Sequence, residues 1–293
     1  MITIIITSFH EEKTIKKCIN SILSQKIKEA YELLLIAPDD ETLNAGKKVS
    51  SKVKILKDPG VGKFEALNIG FKKAKGRLLI LCDGDTYFEN DISIQRIIDA
   101  FNHNEDLGII SGKVESTNSK NNLLGYWSHL LVNAANLERK KRQRRNQFIV
   151  CSGYLIGLRK GIINKLPTDL LSEDAYMSHY VWSKGYDTGY VENAIIKVKY
   201  PTNYKDWIKQ KRRSAGGYHQ LSLYFKKNPR MRTPLLEIIK GPFYALSYAK
   251  NIKELFWSLL LFPARIHLWT LTYNDKLKKK SFNKIWQRVE STK

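Results

Sequence analysis

An α/β fold built on a parallel β-sheet is predicted by the first hundred residues of this chain. Apolar, β-branched runs recur along this stretch, segments with helical spacing of apolar residues lie between them, and polar residues follow each run. Strands that alternate with helices form right-handed βαβ units, whose helices cover both faces of a parallel sheet. The chemistry of the protein is therefore expected at one edge of that sheet.

The predicted elements follow in chain order. Four apolar runs predict strands, at Ile2–Thr7, Glu32–Ala37, Val53–Lys57 and Arg77–Cys82. Helices are predicted over residues 11–25, over residues 63–76, where Gly76 ends the pattern, and over roughly Ile92–Asn102. The region from about 105 to 200 is less regular. It contains one further predicted helix, residues 172–186, with Ser172 as its N-cap and Gly185 as its stop.

The composition limits the classes of protein to consider. With 293 residues, 43% of them hydrophobic and 27% charged, the chain can bury a full core and is neither disordered nor a polytopic membrane protein. The net charge of +22 predicts anionic partners without choosing among nucleic acid, phospholipid and phosphorylated ligands. Three cysteines without C-x-x-C spacing indicate a reducing compartment. The N-terminal stretch lacks the basic region of a secretory signal, which favours a cytoplasmic location.

Polar chemistry follows each of the four predicted strands. The segments are 7-TSFHEE-12, 38-PDDET-42, 58-DPGVGK-63 and 83-DGD-85. Ligands of open α/β sheets bind beyond the carboxyl ends of the strands, so these segments are expected to meet in one crevice. The carboxylates suit a hard divalent cation or a ribose, and Lys63 at a helix start suits a phosphate. We expect a single site.

As an ordered set, these motifs resemble the inverting family 2 glycosyltransferases, which have the GT-A fold. The quoted segments are similar to that family's P-A-Y-N-E-E opening, its nucleoside-binding aspartate segment, its G-K-x-x-A-L-N helix and its D-x-D signature. Ser172–Asp174 stands where the family carries an E-D pair. The run from Gln210 to Ser214 resembles the Q-x-x-R-W motif of polymer-forming, membrane-associated members, with Ser214 in place of tryptophan.

The resemblance implies a role for each matching residue. Asp174 is expected to be the general base, supported by Glu173, and Asp85 is expected to bind Mg²⁺ or Mn²⁺. Asp83 is expected to face the ribose or to lie behind the metal ligands. Asp39 is favoured over Asp40 as the acceptor for a uracil N–H. The other nucleotide-sugar-binding candidates are Thr7, Phe9, Glu11 and Lys63; the acceptor or diphosphate side is assigned Ser152, Gly153, Gln210 and Arg213.

A catalytic domain is expected over residues 1–215, with a nucleotide-sugar half (1–100) and an acceptor half (101–215). Residues 216–293 are expected to form a basic and apolar helical extension. Within it, Leu255–Tyr273 favours a monotopic or re-entrant membrane contact over a true span, because Pro263 and Arg265 lie near its middle. A packed pair of helices is the alternative. The basic run 139–145 is either a solvated, flexible loop or an attachment to anionic lipid.

The hypothesis that follows is a metal-dependent inverting glycosyltransferase. It moves a sugar from a nucleotide diphosphate, most simply UDP, to a lipid-linked or growing glycan acceptor at the cytoplasmic face of the cell membrane. Two alternatives are an anionic-lipid or nucleic-acid binding protein without transferase activity and a sugar-phosphate nucleotidyltransferase. The acid-lined strand ends argue against nucleic acid as a partner.

Overall fold

A computed structural model describes residues 1–227, 234–278, 285 and 287–292. Within them, one eight-stranded sheet has the order β3-β2-β1-β4-β7-β6-β8-β5. Its strands are β1 (Ile2–Thr7), β2 (Tyr31–Ala37), β3 (Val53–Lys57), β4 (Leu78–Asp83), β5 (Thr86–Phe88), β6 (Leu107–Ser116), β7 (Leu155–Arg159) and β8 (Asp187–Val198). Buried apolar clusters cover both faces of this sheet, so the predicted α/β architecture is confirmed.

The first four strands are parallel, as predicted, and lie within one residue of the predicted bounds. They alternate with α1 (Ile15–Leu23), α2 (Asp40–Lys47) and α3 (Lys63–Lys73), and α4 (Ser93–His103) follows β5. Helix α2 was not predicted, because it is short and Asp39 caps it within a stretch that resembles a turn. Thr7, the last residue of β1, pairs with Ile36 and with Asp83, which brings three strand ends to one edge.

The parallel order predicted from the first hundred residues does not extend to the second half of the sheet. Strand β7 runs antiparallel to both β4 and β6, and β5 runs antiparallel to β8. Strands β6 and β8 are parallel to each other, with register shifts after Leu107 and Gly112. These pairings join segments up to about a hundred residues apart, so local periodicity carries no information on their direction.

Four long helices form a layer beside the sheet: α5 (Leu123–Gln143), α7 (Tyr204–Tyr224), α8 (Pro234–Tyr248) and α9 (Ile252–Leu277). They share a third apolar cluster that includes Trp127, Trp207 and Leu261. The indole Nε1 of Trp127 donates to the Trp257 carbonyl over 2.7 Å, which ties α5 to α9. Helix α7 continues without interruption through residue 215, the expected end of the catalytic domain.

Most of the basic run 139–145 is helical, so its interpretation as a solvated, flexible loop is wrong. Its first five residues form the last turns of α5. Arg139 donates to the Val150 carbonyl, and Arg142 pairs with Glu138 one turn earlier. Basic side chains at a helix C-terminus interact favourably with the helix dipole, so part of this run stabilises α5.

The predicted C-terminal membrane segment lies in α9, a helix of 26 residues that contains Pro263. It packs on α5, α7 and α8. Arg265 forms an ion pair with Glu237 of α8, so the arginine that argued against a true span is neutralised inside the helical layer. Within the residues that the structure describes, no helix combines the length and apolar character needed to cross a membrane.

Candidate active site

A cleft of about 1240 Å³ opens at the carboxyl ends of β1 and β4 and extends to α5, α8 and α9. All but one of the predicted site residues line it. These are Thr7, Phe9, Glu11, Lys63, Asp83, Asp85, Ser152, Gly153, Glu173, Asp174, Gln210 and Arg213. The convergence of four strand ends and of α6 (Glu173–Ser183) on one cavity is thus present in the fold. Asp39 is the exception.

The glycine of the D-G-D segment, Gly84, leaves room for the side chain of Ser8. A Cβ added to Gly84 would lie 2.0 Å from the Ser8 Oγ, far inside contact distance. The Gly84 N–H donates to the Thr7 carbonyl over 3.0 Å, and the Thr7 hydroxyl donates to Asp83 Oδ1 over 3.3 Å. Close packing of the β1 and β4 ends therefore fixes the positions of the two aspartates that flank Gly84.

Lys63 joins the two sides of the cleft. Its ammonium group forms an ion pair with Asp83 and donates to the Gly153 carbonyl over 3.2 Å. Burial lowers the pKa of Lys63, but the nearby carboxylates, Asp83 first, outweigh that effect and hold the pKa above its ordinary value. A charged lysine at the start of α3 is therefore a fixed cation within the cleft, in the position where a phosphate would need one.

The carboxylates of this region are crowded. Burial and the charge of Asp83 raise the pKa of Asp85 to about 7, against the opposing effects of Lys63 and Arg213. Burial also raises the pKa of Glu173, again opposed by the same two cations. Carboxylates with raised pKa values in a cleft are typical of functional sites.

Asp83 and Asp85 fit a hard divalent cation, because a positive charge there would relieve the effect that raises the pKa of Asp85. Such a cation takes one or two protein oxygens and completes its shell with phosphates and water. In the described part of the chain, no group of three or more His, Cys, Asp or Glu residues could hold a metal by itself. Asp83 and Asp85 could therefore supply only part of the ligand shell of such an ion.

Asp174 lies in the first turn of α6 and is held by three hydrogen bonds. Its Oδ1 accepts from the Ser172 hydroxyl over 2.6 Å and from the Ala175 N–H over 2.8 Å, and its Oδ2 accepts from the Gly153 N–H over 3.0 Å. Ser172 is the N-cap residue, as predicted. The Asp174 carboxylate therefore lines the cleft with both oxygens held in place, and its predicted role as general base stays a prediction.

Helix α7 carries Gln210 and Arg213, two residues that the sequence predicted for the acceptor or diphosphate side. The Gln210 side chain donates to the Tyr154 hydroxyl over 3.3 Å, and its Oε1 is buried with no hydrogen-bond donor among the described residues. The positive charge of Arg213 opposes the rise in the pKa values of Asp85 and Glu173. Within the part of the chain described here, Arg213 forms no ion pair. Arg212, by contrast, is bound to Asp275 of α9. Gln210 and Arg213 thus retain bonding capacity for a ligand.

Asp39 lies outside the lining of the cleft. Its Oδ2 accepts from the His10 N–H over 2.9 Å, and its Oδ1 accepts from the Thr42 N–H over 2.9 Å as the N-cap of α2. Burial raises its pKa, but these hydrogen bonds reverse the effect and hold the pKa below its ordinary value. Asp39 therefore supports the backbone at His10, and its predicted contact with a base remains a prediction.

Asp58 lines the cleft, although it was not among the site residues predicted from the sequence. It is buried, accepts from the Gly60 N–H over 2.7 Å, and burial raises its pKa. Its place as the first residue of 58-DPGVGK-63 was the available signal. Tyr154 and Arg288 also line the cleft, but no motif marks either of them.

The comparison with protein families decides the assignment. The model described as glycosyl transferase family 2 matches residues 3–166, more than half of the chain. The chain belongs to glycosyltransferase family 2. The family predicted from the sequence is thereby confirmed.

Two curated relatives illustrate the similarity. The chain is 23% identical over 238 residues to the probable glycosyltransferase YdaM of Bacillus subtilis. This alignment covers 76% of this chain and 56% of YdaM. The chain is 24% identical over 247 residues to the poly-β-1,6-N-acetyl-D-glucosamine synthase of Staphylococcus aureus, covering 80% and 59%. The chain therefore spans less than three fifths of the length of these relatives.

Solved structures agree on the fold. The mannosyltransferase PcManGT of Pyrobaculum calidifontis, in complex with GDP-Man and Mn²⁺, superposes with a TM-score of 0.62 at 16% identity, covering 94% of this chain and 80% of that one. TarS residues 1–349 of S. aureus, in complex with UDP-GlcNAc, gives 0.52 at 15% identity, covering 84% and 70%. The predicted GT-A-type fold of the family is confirmed.

Proposed function

We propose that this protein is a metal-dependent inverting glycosyltransferase. It transfers a sugar from a nucleotide-diphospho-sugar, for which we propose UDP as the nucleotide, to a lipid-linked or growing glycan acceptor. The observation that carries the proposal is the position of Asp174 in the same cleft as the Asp83–Lys63 ion pair and Asp85. The PcManGT and TarS complexes named above hold GDP-Man with Mn²⁺ and UDP-GlcNAc, which supports a nucleotide-sugar donor.

The mechanism follows from the roles of these side chains. Asp174 accepts the proton of the acceptor hydroxyl as that oxygen attacks the anomeric carbon. The bond from the anomeric carbon to the diphosphate breaks on the opposite face, and the diphosphate leaves with the electron pair. One displacement of this kind inverts the configuration.

Lys63 and Arg213 stabilise the negative charge that develops on the diphosphate. Asp85, with Asp83 beside it, would hold Mg²⁺ or Mn²⁺, which when bound supplies Lewis-acid neutralisation of the leaving group. Asp83, Asp85, Glu173 and Asp174 all lie close to Lys63, and a divalent cation would offset the repulsion between these carboxylates and a diphosphate. This charge balance supports metal dependence.

The test is a thermal-shift screen of the intact protein with UDP, GDP and their sugars, each with Mn²⁺, Mg²⁺ or EDTA. We expect the unfolding midpoint to rise with one nucleotide and with metal present. The Asp85→Asn variant should lose the metal-dependent part of the shift. The absence of any nucleotide response, with or without metal, would argue decisively against a donor site.

We also propose that the protein works at the cytoplasmic membrane surface, attached by α8 and α9. Both helices carry apolar side chains along one face, at spacings of three and four residues. The exposed members are Leu235, Ile238, Ile239, Phe243 and Leu246 on α8 and Ile252, Leu255, Phe256, Leu259, Ile266, Tyr273 and Leu277 on α9. Exposed lysines flank α9, at Lys250, Lys253, Lys276 and Lys278. A face of this kind is typical of interfacial helices on anionic lipid.

Vesicle flotation tests this attachment. The protein should float with vesicles containing phosphatidylglycerol and less with pure phosphatidylcholine. The Ile238→Glu/Phe243→Glu variant should lose most of the floated fraction, whereas Leu223→Glu, at a residue 80% exposed on α7, should not. Equal flotation of all three proteins would refute the assignment of this face.

A further inference from the structure

The C-terminal strap, residues 287–292, returns to the beginning of the chain. Arg288 Nη2 donates to the His10 carbonyl over 3.0 Å, and its guanidinium lies over the Phe9 ring, 5.9 Å from the centroid. Val289 and Thr292 line the cleft together with Arg288. The strap therefore forms part of the cleft wall at the end of β1, although 278 positions separate Arg288 from His10.

The strap is anchored rather than merely adjacent. The Ser291 N–H donates to Asp206 Oδ2 over 3.0 Å, and the Thr202 N–H donates to the Ser291 hydroxyl over 3.2 Å. Thr292 is buried, and residues Glu290–Thr292 form a turn of 3₁₀ helix. Both anchoring groups lie at the start of α7, so the strap has a defined position beside the cleft.

The guanidinium of Arg288 has unused hydrogen-bonding capacity. Arginine offers five N–H donors. Among the described residues only the His10 carbonyl accepts from it, and the buried Nε has no hydrogen-bond acceptor, although Glu290 Oε1 lies at an ion-pair distance of 3.5 Å. A charged group with free donors in a cleft wall is suited to an oxygen-rich anion.

We propose that Arg288 binds the nucleoside diphosphate of the donor, so that the C-terminal strap completes the donor site. The inference rests on the proposed function, and it extends that site to a segment lying outside the matched family region 3–166. The ligand group is an oxygen acceptor on the base, the ribose or the diphosphate. Phe9 and His10 lie just after β1, so Arg288 lies beside a segment that contains a predicted donor-binding residue, Phe9.

Isothermal titration of the intact protein with UDP or GDP, whichever the wild type binds more tightly, and Mn²⁺ tests this. Arg288→Ala should raise Kd about tenfold, since this is the order of loss for hydrogen bonds from a charged group. Arg288→Lys should recover part of the affinity. Gln287→Ala, at an exposed neighbour, should bind as the wild type does, and the unfolding midpoints without ligand should agree within about a degree.

Titration with the free nucleoside identifies the contact. If Arg288→Ala weakens the diphosphate but not the nucleoside, the guanidinium binds phosphate; if it weakens both equally, it binds the nucleoside; either result supports the proposal. A Kd for Arg288→Ala within twofold of wild type overturns it while the proposed function stands. A wild type that binds no nucleotide overturns both.

Discussion

Replacement of Asp174 by asparagine separates the chemical role of this side chain from its structural role. Asparagine keeps one oxygen, which can still accept from the Ser172 hydroxyl and the Ala175 N–H at the Oδ1 position. The amide NH₂ then lies where Oδ2 lay, 3.0 Å from the Gly153 N–H. Two donors face each other there, and no general base remains.

Both consequences have an expected size. Loss of a general base lowers kcat by about 10²–10⁴-fold. The Gly153 N–H is part-buried and loses its acceptor, which costs at most about 1–3 kcal/mol of stability, the range for a buried unsatisfied donor. For a domain of this size, that loss lowers the unfolding midpoint by several degrees. The variant should therefore be folded at 20 °C, bind the donor nucleotide with nearly unchanged affinity, and turn over very slowly.

Release of nucleoside diphosphate from the donor sugar, measured with membrane lipid extract as the acceptor source, gives kcat, and calorimetry gives the nucleotide Kd. Asp187→Asn is the matched control, since it makes the same change at an exposed carboxylate at the start of β8. A kcat for Asp174→Asn within threefold of wild type would refute the assignment of the base. A loss of nucleotide binding equal to the loss of activity would instead assign Asp174 to the donor site.

Three further predictions concern the architecture around the cleft. Gly84→Ala should cost about 1–3 kcal/mol in urea unfolding through overpacking, and adding Ser8→Ala should recover much of it; additive losses would contradict the proposed clash. Hydrogen bonds hold the pKa of Asp206 at about 2 against burial, so its stabilisation is full above pH 4 and is lost as pH falls towards 2. Asp206→Asn should flatten the stability profile between pH 2 and 4, and an unchanged profile would contradict the role. Lys63→Met should weaken nucleotide binding at least tenfold in calorimetry while Asp83 stays in place; unaltered affinity would exclude a phosphate contact.

The sequence predicted which residues meet at the ends of β1 and β4 because the determinants of that meeting are local. Strand periodicity locates the ends of β1 and β4, and parallel strands bring those ends together, so Thr7, Asp83 and Asp85 had to converge. The helix dipole made Lys63 at the start of α3 conspicuous. Asp58 lies in the same turn but was not predicted. The glycines Gly60 and Gly62 suggested backbone N–H donors for a phosphate there, which left no role for a carboxylate.

The other half depended on pairings that no local pattern encodes. The antiparallel insertion of β7 between β4 and β6 places Gly153 against Asp174, so that the Gly153 N–H holds the Asp174 Oδ2. The position of Arg288 depends on its contact with His10 and on the hydrogen bond from Ser291 to Asp206, and both partners lie far away in sequence. A lone arginine in a basic C-terminal region has no periodicity and no motif. Its proposed role follows only from its contact with the His10 carbonyl near the other end of the sequence. Residues of this kind can be identified only from the folded structure.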